Sequence, residues 1–355
     1  MKEAILVGQY DPYNINLGGI EIYTKNLIKE LNKHNYKVNV LGWSSIKKES
    51  NEFKPIVISN RLLGRKFTFN LFLKAPFISI SKDIPILIDR PDRVIPFYFR
   101  KNKLVCFLHG SHYKNVNIKK GKIVSMFYRL LECIAFKRVD TVISVSHENK
   151  KYYEKRYPFL KNKIKVIPVG ISEEFRPLNK NELRNKYGFS LSEKLVLYVG
   201  RLEKEKQVDQ IIRSFGQIDA KLIIVGDGRE ESSLKNLAKE LNLINVIFMK
   251  GIAHDHIPEI MNCADALVLF SKYEGMPTVV LEALACGKPV ISSDVGDVRK
   301  AVIDNKTGFI ANEDNFASYV NTALENPSRF QEECVRMASN YSWDKICEQT
   351  MKVLE

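Results

Sequence analysis

Residues 271–290 read SKYEGMPTVVLEALACGKPV, with Glu274 before Pro277 and Glu282 after it. Pro277 suits the first position of a helix, where a missing N–H costs nothing. The spacing predicts a short helix over 277–286, stopped by Gly287 with Pro289 beyond. The apolar run ALVLF (266–270) precedes it as a strand. The helix therefore starts at the carboxyl edge of a parallel sheet, where its free N–H groups and positive dipole end form an anion site. Gly275 lets backbone approach a ligand closely. Glu274, in the loop, would repel a phosphate but can accept hydrogen bonds from hydroxyls beside one. Glu282, about one turn in, can hold a second set of hydroxyls. Two hydroxyl-rich groups flanking a diphosphate describe a nucleotide sugar. Read alone, the pair also fits two solvated helix carboxylates.

Two further stretches bear on that choice. YVGRLEKEKQVD (198–209) ends a strand at Gly200 and continues with Arg201 and Lys206. An arginine fork and a lysine point charge at a sheet edge can neutralise a diphosphate. NLGGIEIYTKNL (16–27) places Gly18 and Gly19 at the opening of a helix, where backbone can come close to phosphates; a tight turn is the simpler reading.

Around these stretches, strand-like and helix-like segments alternate. AILVG (4–8), KVNVLG (37–42), IPILI (84–88), KLVCFLH (103–109), TVISVS (141–146) and IKVIPVG (164–170) read as buried parallel strands. The pattern restarts with LVLYVG (195–200), KLIIVG (221–226), VIFMKG (246–251), ALVLF and PVISS (289–293). Helical stretches are expected at 20–33, with Ile20, Tyr23, Leu27, Ile28 and Leu31 on one face, and at 123–137, with Ile123, Phe127, Leu130, Leu131 and Ile134. Others fall at 229–241 and 255–262. The class is α/β, with two doubly wound sheets that carry ligand sites at their carboxyl ends. The polar stretch 171–188 reads as the connection. The expected domains are 1–175 and 176–340, followed by an amphipathic helix over 341–355 with Trp343, Ile346, Met351 and Leu354 inward.

At 355 residues, 45% apolar and 27% charged, the chain is an ordinary globular protein. It has no 18-residue apolar run and no signal peptide pattern, so a cytoplasmic location is expected. The six cysteines form no C-x-x-C pair and read as buried thiols, without disulfide or zinc. Charge is uneven: residues 1–175 hold 32 Lys+Arg and 15 Asp+Glu, net +17, whereas 176–355 hold 23 and 26, net −3. A lysine-rich base composition would act on both halves. The basic half suggests an anionic partner, most readily a membrane surface or phosphorylated lipid, reached from the inner face of the cell membrane. Nucleic acid is not expected, because no recognition signature is present. Basic and aromatic residues mix at 61–82 and 112–122, and LIDRPDR (87–93) is a second candidate for an anionic acceptor.

The chain resembles the family 4 glycosyltransferases, the retaining group with the GT-B fold of two Rossmann-like domains facing a cleft. The resemblance runs through GGIE (18–21), FLHG (107–110), VISVS (142–146), VIPVG (166–170), VGRLEKEK (199–206), VGDG (225–228), the 271–296 block, NKTGFI (305–310) and YSW (341–343). It implies that Glu274 contacts the donor sugar and Glu282 the ribose. Arg201 and Lys206 would hold the diphosphate in place of a metal, and the amides of Gly275, Met276 and Thr278 would complete the donor site. His109 would sit near the anomeric carbon and acceptor, Gly18 and Gly19 would approach the diphosphate, and the last helix would cross back to the first domain. The implied activity is hexosyl transfer from a nucleotide diphosphate sugar, UDP-sugar favoured, to a glycan or lipid-linked acceptor in polysaccharide or glycolipid synthesis, with no cofactor. A non-catalytic nucleotide-sugar binder and a sugar-nucleotide 2-epimerase share the architecture. A nicotinamide enzyme would need G-x-G-x-x-G after the first strand, which residues 8–19 do not supply. Three positions depart from the family pattern: Gln207 stands for a glycine, Val169 for an asparagine, and Arg299-Lys300 for proline-glutamate.

Overall fold

A computed structural model of the chain describes residues 2–8, 10–11, 19–44, 53–58, 64–109, 122–250 and 252–355. Gly18 and nearly all of 112–122 lie outside the described residues. The chain divides into two compact units, Met1–Gly170 with Trp343–Glu355, and Ile171–Ser342.

The first unit holds a parallel sheet of seven strands: β1 (Lys2–Val7), β2 (Tyr36–Ser44), β3 (Phe53–Ile58), β4 (Ile86–Ile88), β5 (Leu104–Leu108), β6 (Thr141–Ser144) and β7 (Ile164–Val166). Their order is β3-β2-β1-β4-β5-β6-β7. Strand β3 is absent from the sequence expectations, and its FKPIVI segment carries Pro55. A proline is tolerated there because β3 is an edge strand, paired to β2 with a register shift at Gly42/Trp43. Side chains alternate across the pleat. Ala4 and Leu6 of β1 join one core with Tyr23 and Leu27 of α1 (Gly19–Lys33). Ile5 and Val7 join the opposite core with Phe67 and Leu71 of α2 (Gly64–Lys74), Phe136 of α3 (Lys122–Arg138) and Tyr153 of α4 (His147–Arg156).

Two faces differ from the sequence expectation. Ile20 of α1 is exposed. In α3, Phe127, Leu130 and Ile134 point outward, and Ser125, Glu132, Ala135 and Phe136 are buried instead. Glu132 explains the rotation: Tyr153 and Tyr157 of the neighbouring segment donate to its two carboxylate oxygens at 3.4 and 3.2 Å. A paired carboxyl can be buried, and it turns that side of α3 toward the core. Burial pushes its pKa up to about 7.

The second unit has six parallel strands: β8 (Leu195–Val199), β9 (Lys221–Val225), β10 (Val246–Met249), β11 (Ala266–Leu269), β12 (Val290–Ser293) and β13 (Gly308–Ala311), in the order β10-β9-β8-β11-β12-β13. Its helices are α5 (Lys180–Tyr187), α6 (Val208–Ser214), α7 (Glu231–Glu240), α8 (Ile257–Cys263), α9 (Thr278–Ala285), α10 (Phe316–Glu325) and α11 (Gln331–Ala338). The stretch 171–188 is part of this unit and not a bare connection. Ile171 and Phe175 enter its core, and Asn179 caps α5. Arg184 is buried: it donates to the carbonyls of Cys263, Ser190, Leu191 and Glu193 and to Asp265 at 2.7–3.1 Å. Each buried donor has a partner, so polar residues pack there at little cost.

The last helix, α12 (Trp343–Leu354), belongs to the first unit and packs on α1. Trp343, Ile346, Cys347, Val353 and Leu354 are buried, and Met351 is partly so. A Cβ at Gly170 would lie 2.4 Å from the Trp343 ring, so only glycine lets the two ends of the first unit pass this closely. All six cysteines are free, and five are buried.

Candidate active site

In the second sheet the strand order reverses between β8 and β11, which makes that edge the topological switch point. Ligands of doubly wound sheets bind outside the carboxyl ends of the strands at such a point. The loops that leave β8 and β11 there carry the residues singled out from sequence.

After β8, the chain passes Arg201 and turns through Lys204–Lys206 as a single 3₁₀ turn. The Tyr198 hydroxyl donates to the Arg201 carbonyl at 3.1 Å and pins this loop from below. Gln207 takes the left-handed conformation, φ 44° and ψ 40°, that a glycine would adopt without cost. The turn therefore forms without the family's glycine. The loops after β8 and β11 are joined where the Lys272 amide donates to the Glu205 carbonyl at 2.9 Å.

Lys206 Nζ donates to Glu274 Oε1. Both side chains are largely buried, 17% and 12% exposed, so this charge pair lies mostly out of water. Arg201 is 68% exposed and faces Glu205 at 3.5 Å, a weak surface pair that leaves the guanidinium accessible. A third loop locks the site. The Asp297 amide donates to the Gly275 carbonyl at 2.8 Å. Gly296 has φ 56°, and a Cβ there would lie 2.2 Å from the Gly275 oxygen. Arg299 pairs with Asp294 at 2.8 Å and Lys300 with Asp297 at 4.0 Å, so the atypical basic pair is satisfied within its own loop.

Helix α9 begins one residue later than expected: Pro277 is its N-cap, extended at φ −69° and ψ 118°, and Thr278 is the first helical residue. Extended backbone directs the chain from the loop into the helix while proline still removes one unneeded donor. Among the described residues no side chain caps this end, so its first N–H groups are open to an acceptor. Met276 is buried and Thr278 exposed. Glu282, one turn on, hydrogen-bonds with Thr278 while burial pushes its pKa up to about 7. Thus Arg201, Lys206, Glu274, Gly275, Met276, Thr278 and Glu282 belong to one switch-point edge.

The remaining residues belong to the first unit. His109 follows β5, and burial lowers its pKa to about 4 against the opposing pull of Asp89. The imidazole is therefore neutral at neutral pH. Tyr23 of α1 packs edge-on against it, ring centroids 4.7 Å apart, and Trp343 stands 5.2 Å from Tyr23. Gly19, at the start of α1, is exposed, and a Cβ there would touch nothing within 4 Å. The basic stretch 87–93 does not present free charge: Arg93 pairs with Asp89, and Arg90 with Asp92 at 3.0 Å.

Residues 17–175 match the profile described as Glycosyltransferase Family 4, and residues 179–341 that of Glycosyl transferases group 1. The chain is a family 4 glycosyltransferase. An uncharacterised glycosyltransferase of Methanocaldococcus jannaschii is 27% identical over 100% of this transferase and 98% of its own length. The UDP-Gal:alpha-D-GlcNAc-diphosphoundecaprenol alpha-1,3-galactosyltransferase of Escherichia coli is 32% identical over 62% of this chain and 59% of its own. Among solved structures, sucrose-phosphate synthase of Thermosynechococcus elongatus gives a TM-score of 0.82 at 20% identity, covering 99% and 98% of the two chains. Anabaena HepE in complex with UDP-glucose gives 0.77 at 18%, covering 100% and 99%. The transferase has the GT-B fold.

Tyr23, Gly296 and Asp297 contact the candidate site residues and were not singled out for a site from sequence. Tyr23 was legible only as a core position of α1. Gly296 stood within the 271–296 block, but its partner carbonyl is supplied by a different loop.

Proposed function

We propose that this transferase moves a hexosyl unit from a UDP-sugar to a hydroxyl of a lipid-linked or other glycan acceptor, with α configuration retained and without a metal ion. One observation carries the reading: the largely buried Lys206–Glu274 pair stands at the switch-point edge beside the uncapped start of α9. A bound donor offers each partner a better match, phosphate oxygens to Lys206 and sugar hydroxyls to Glu274. HepE was solved with UDP-glucose, and the E. coli relative is named for a UDP-galactose donor and a diphosphoundecaprenol-linked acceptor, which supports both substrate classes.

In the proposed reaction the bond from the anomeric carbon to the diphosphate oxygen breaks, and the electron pair leaves with the nucleotide. Lys206, Arg201 and the N–H groups opening α9 stabilise that growing negative charge. The acceptor oxygen bonds to the anomeric carbon on the same face, and its proton passes to the leaving phosphate oxygen. Neutral His109 serves the acceptor side as a hydrogen-bonding group that adds no charge. Glu282 holds the ribose. Among the described residues no three His, Cys, Asp or Glu side chains cluster as a metal site, and the two cations would carry the charge stabilisation.

The test is turnover of radiolabelled UDP-, GDP- and ADP-sugars with glycan and lipid-linked acceptors, with and without chelator, and the anomeric coupling of the product read by NMR. Lys206→Ala and Arg201→Ala are each expected to lower kcat about 10²–10³-fold. A β-linked product, loss of turnover on chelation, epimerised donor, or an active double charge reversal at 201 and 206 would overturn the proposal.

A further inference from the structure

Sixteen large apolar side chains are exposed among the described residues, and nine of them fall between Phe69 and Ile134. They are Phe69, Phe72 and Leu73 on α2, Phe77 and Phe99 on two short turns, and Met126, Phe127, Leu130 and Ile134 on α3. Phe77 and Phe99 are the extreme cases, 88% and 96% exposed. A soluble monomer scatters such residues singly, and a concentration of them marks a contact surface.

These elements form one layer over one core of the first sheet. Helix α2 touches both turns, and α3 touches the turn at Ile95–Phe97. Arg100 donates to the Ala75 carbonyl at 2.7 Å and so ties the Phe99 turn to the Phe77 turn. Arg138, at the end of α3, donates to the Tyr98 carbonyl at 2.9 Å and the Asn102 carbonyl at 3.0 Å. The apolar side chains therefore stand on a braced frame.

The charge of the same stretches identifies the partner. Residues 53–82 contain six Lys/Arg and no Asp or Glu, and residues 94–131 contain eight Lys/Arg and again no acid. The next carboxylate, Glu132, is turned inward onto Tyr153 and Tyr157. Lys74, Lys82, Lys101, Arg129 and Lys137 are exposed. A second copy of the chain would bring the same positive charge to an isologous contact, whereas an anionic bilayer satisfies both the charge and the protruding apolar groups. No helix among the described residues is long and apolar enough to cross a membrane, so the contact lies on the surface of the bilayer.

We infer that the outer face of α2, α3 and the turns bearing Phe77 and Phe99 docks on a membrane of anionic lipid. The inference rests on the first unit alone and is independent of the donor chemistry assigned to the second. The test is flotation of the full chain with vesicles of phosphatidylcholine alone or with about one third phosphatidylglycerol. Binding is expected only with phosphatidylglycerol and is expected to weaken with salt. Phe77→Ser with Phe99→Ser, and separately Phe127→Ser with Leu130→Ser, should each weaken it about tenfold or more. Both pairs are exposed, so the melting temperature and its shift with UDP should match the parent. Equal binding to neutral vesicles, unchanged binding by both double variants, or no vesicle binding by a chain that these substitutions convert from dimer to monomer would overturn the inference. Loss of sugar transfer with vesicle binding intact would bear on the catalytic proposal instead.

Discussion

At the scale of single residues, the site is set by how far each charge is withdrawn from water. Lys206 and Glu274 are mutually neutralised, whereas Glu282 is desolvated and, among the described residues, is eased by the neutral Thr278 hydroxyl. Its pKa therefore rises to about 7 from 4.5. Between these values the folded chain keeps a proton that the unfolded chain releases, so this group's contribution to stability falls as pH rises from about 4.5 to 7. Glu282→Gln removes that cost. The variant is expected to match the parent near pH 4.5 and to exceed it by up to about 3 kcal/mol above pH 7. Urea denaturation of both proteins across that range checks this, and a constant difference would disprove the burial argument. The E-x7-E spacing in the sequence was visible. Which of the two acids has a cationic partner was not, because Lys206 and Glu274 are 68 residues apart.

Secondary-structure elements follow local chemistry more closely. Helix α9 was legible from Pro277 and Gly287, and the latter adopts φ 72° as a terminating glycine should. The turn into α6 is the contrary case, since Gln207 supplies a left-handed conformation without glycine's freedom. Gln207→Gly removes a steric cost of roughly 1–2 kcal/mol against roughly 0.5–1 kcal/mol of added chain entropy, so stability should hold or rise by up to about 1.5 kcal/mol. Gln207→Val, which tolerates this region poorly, should lose about 1 kcal/mol or more. Denaturant midpoints decide this, and a glycine variant clearly weaker than parent would show that the Gln207 side chain has another role. Helix α3 shows where periodicity misleads. Its apolar stripe of Phe127, Leu130 and Ile134 is the outer face, because the tyrosine-bound Glu132 and compact Ala135 and Phe136 fill the inner one.

For the whole molecule, the telling feature is that the first unit is completed by the last thirteen residues, Trp343–Glu355. Burial of Trp343, Ile346, Val353 and Leu354 contributes roughly 6–12 kcal/mol, comparable to the net stability of a whole domain. A chain ending at Ser342 is expected to lose the calorimetric transition of the first unit and to keep that of the second. Two unshifted transitions would show that α12 is dispensable. The sequence by itself determined the class of the elements, the two consecutive α/β patterns and the family blocks, because these depend on residue type and short spacing. It also determined that the first half is basic. The tertiary structure alone decided that 171–188 is packed rather than a connector, that Lys206 is paired with Glu274, and that α3 turns its apolar stripe outward. Each of those depends on which distant groups satisfy a buried charge or donor, and that is settled by packing in three dimensions rather than by the order of residues along the chain.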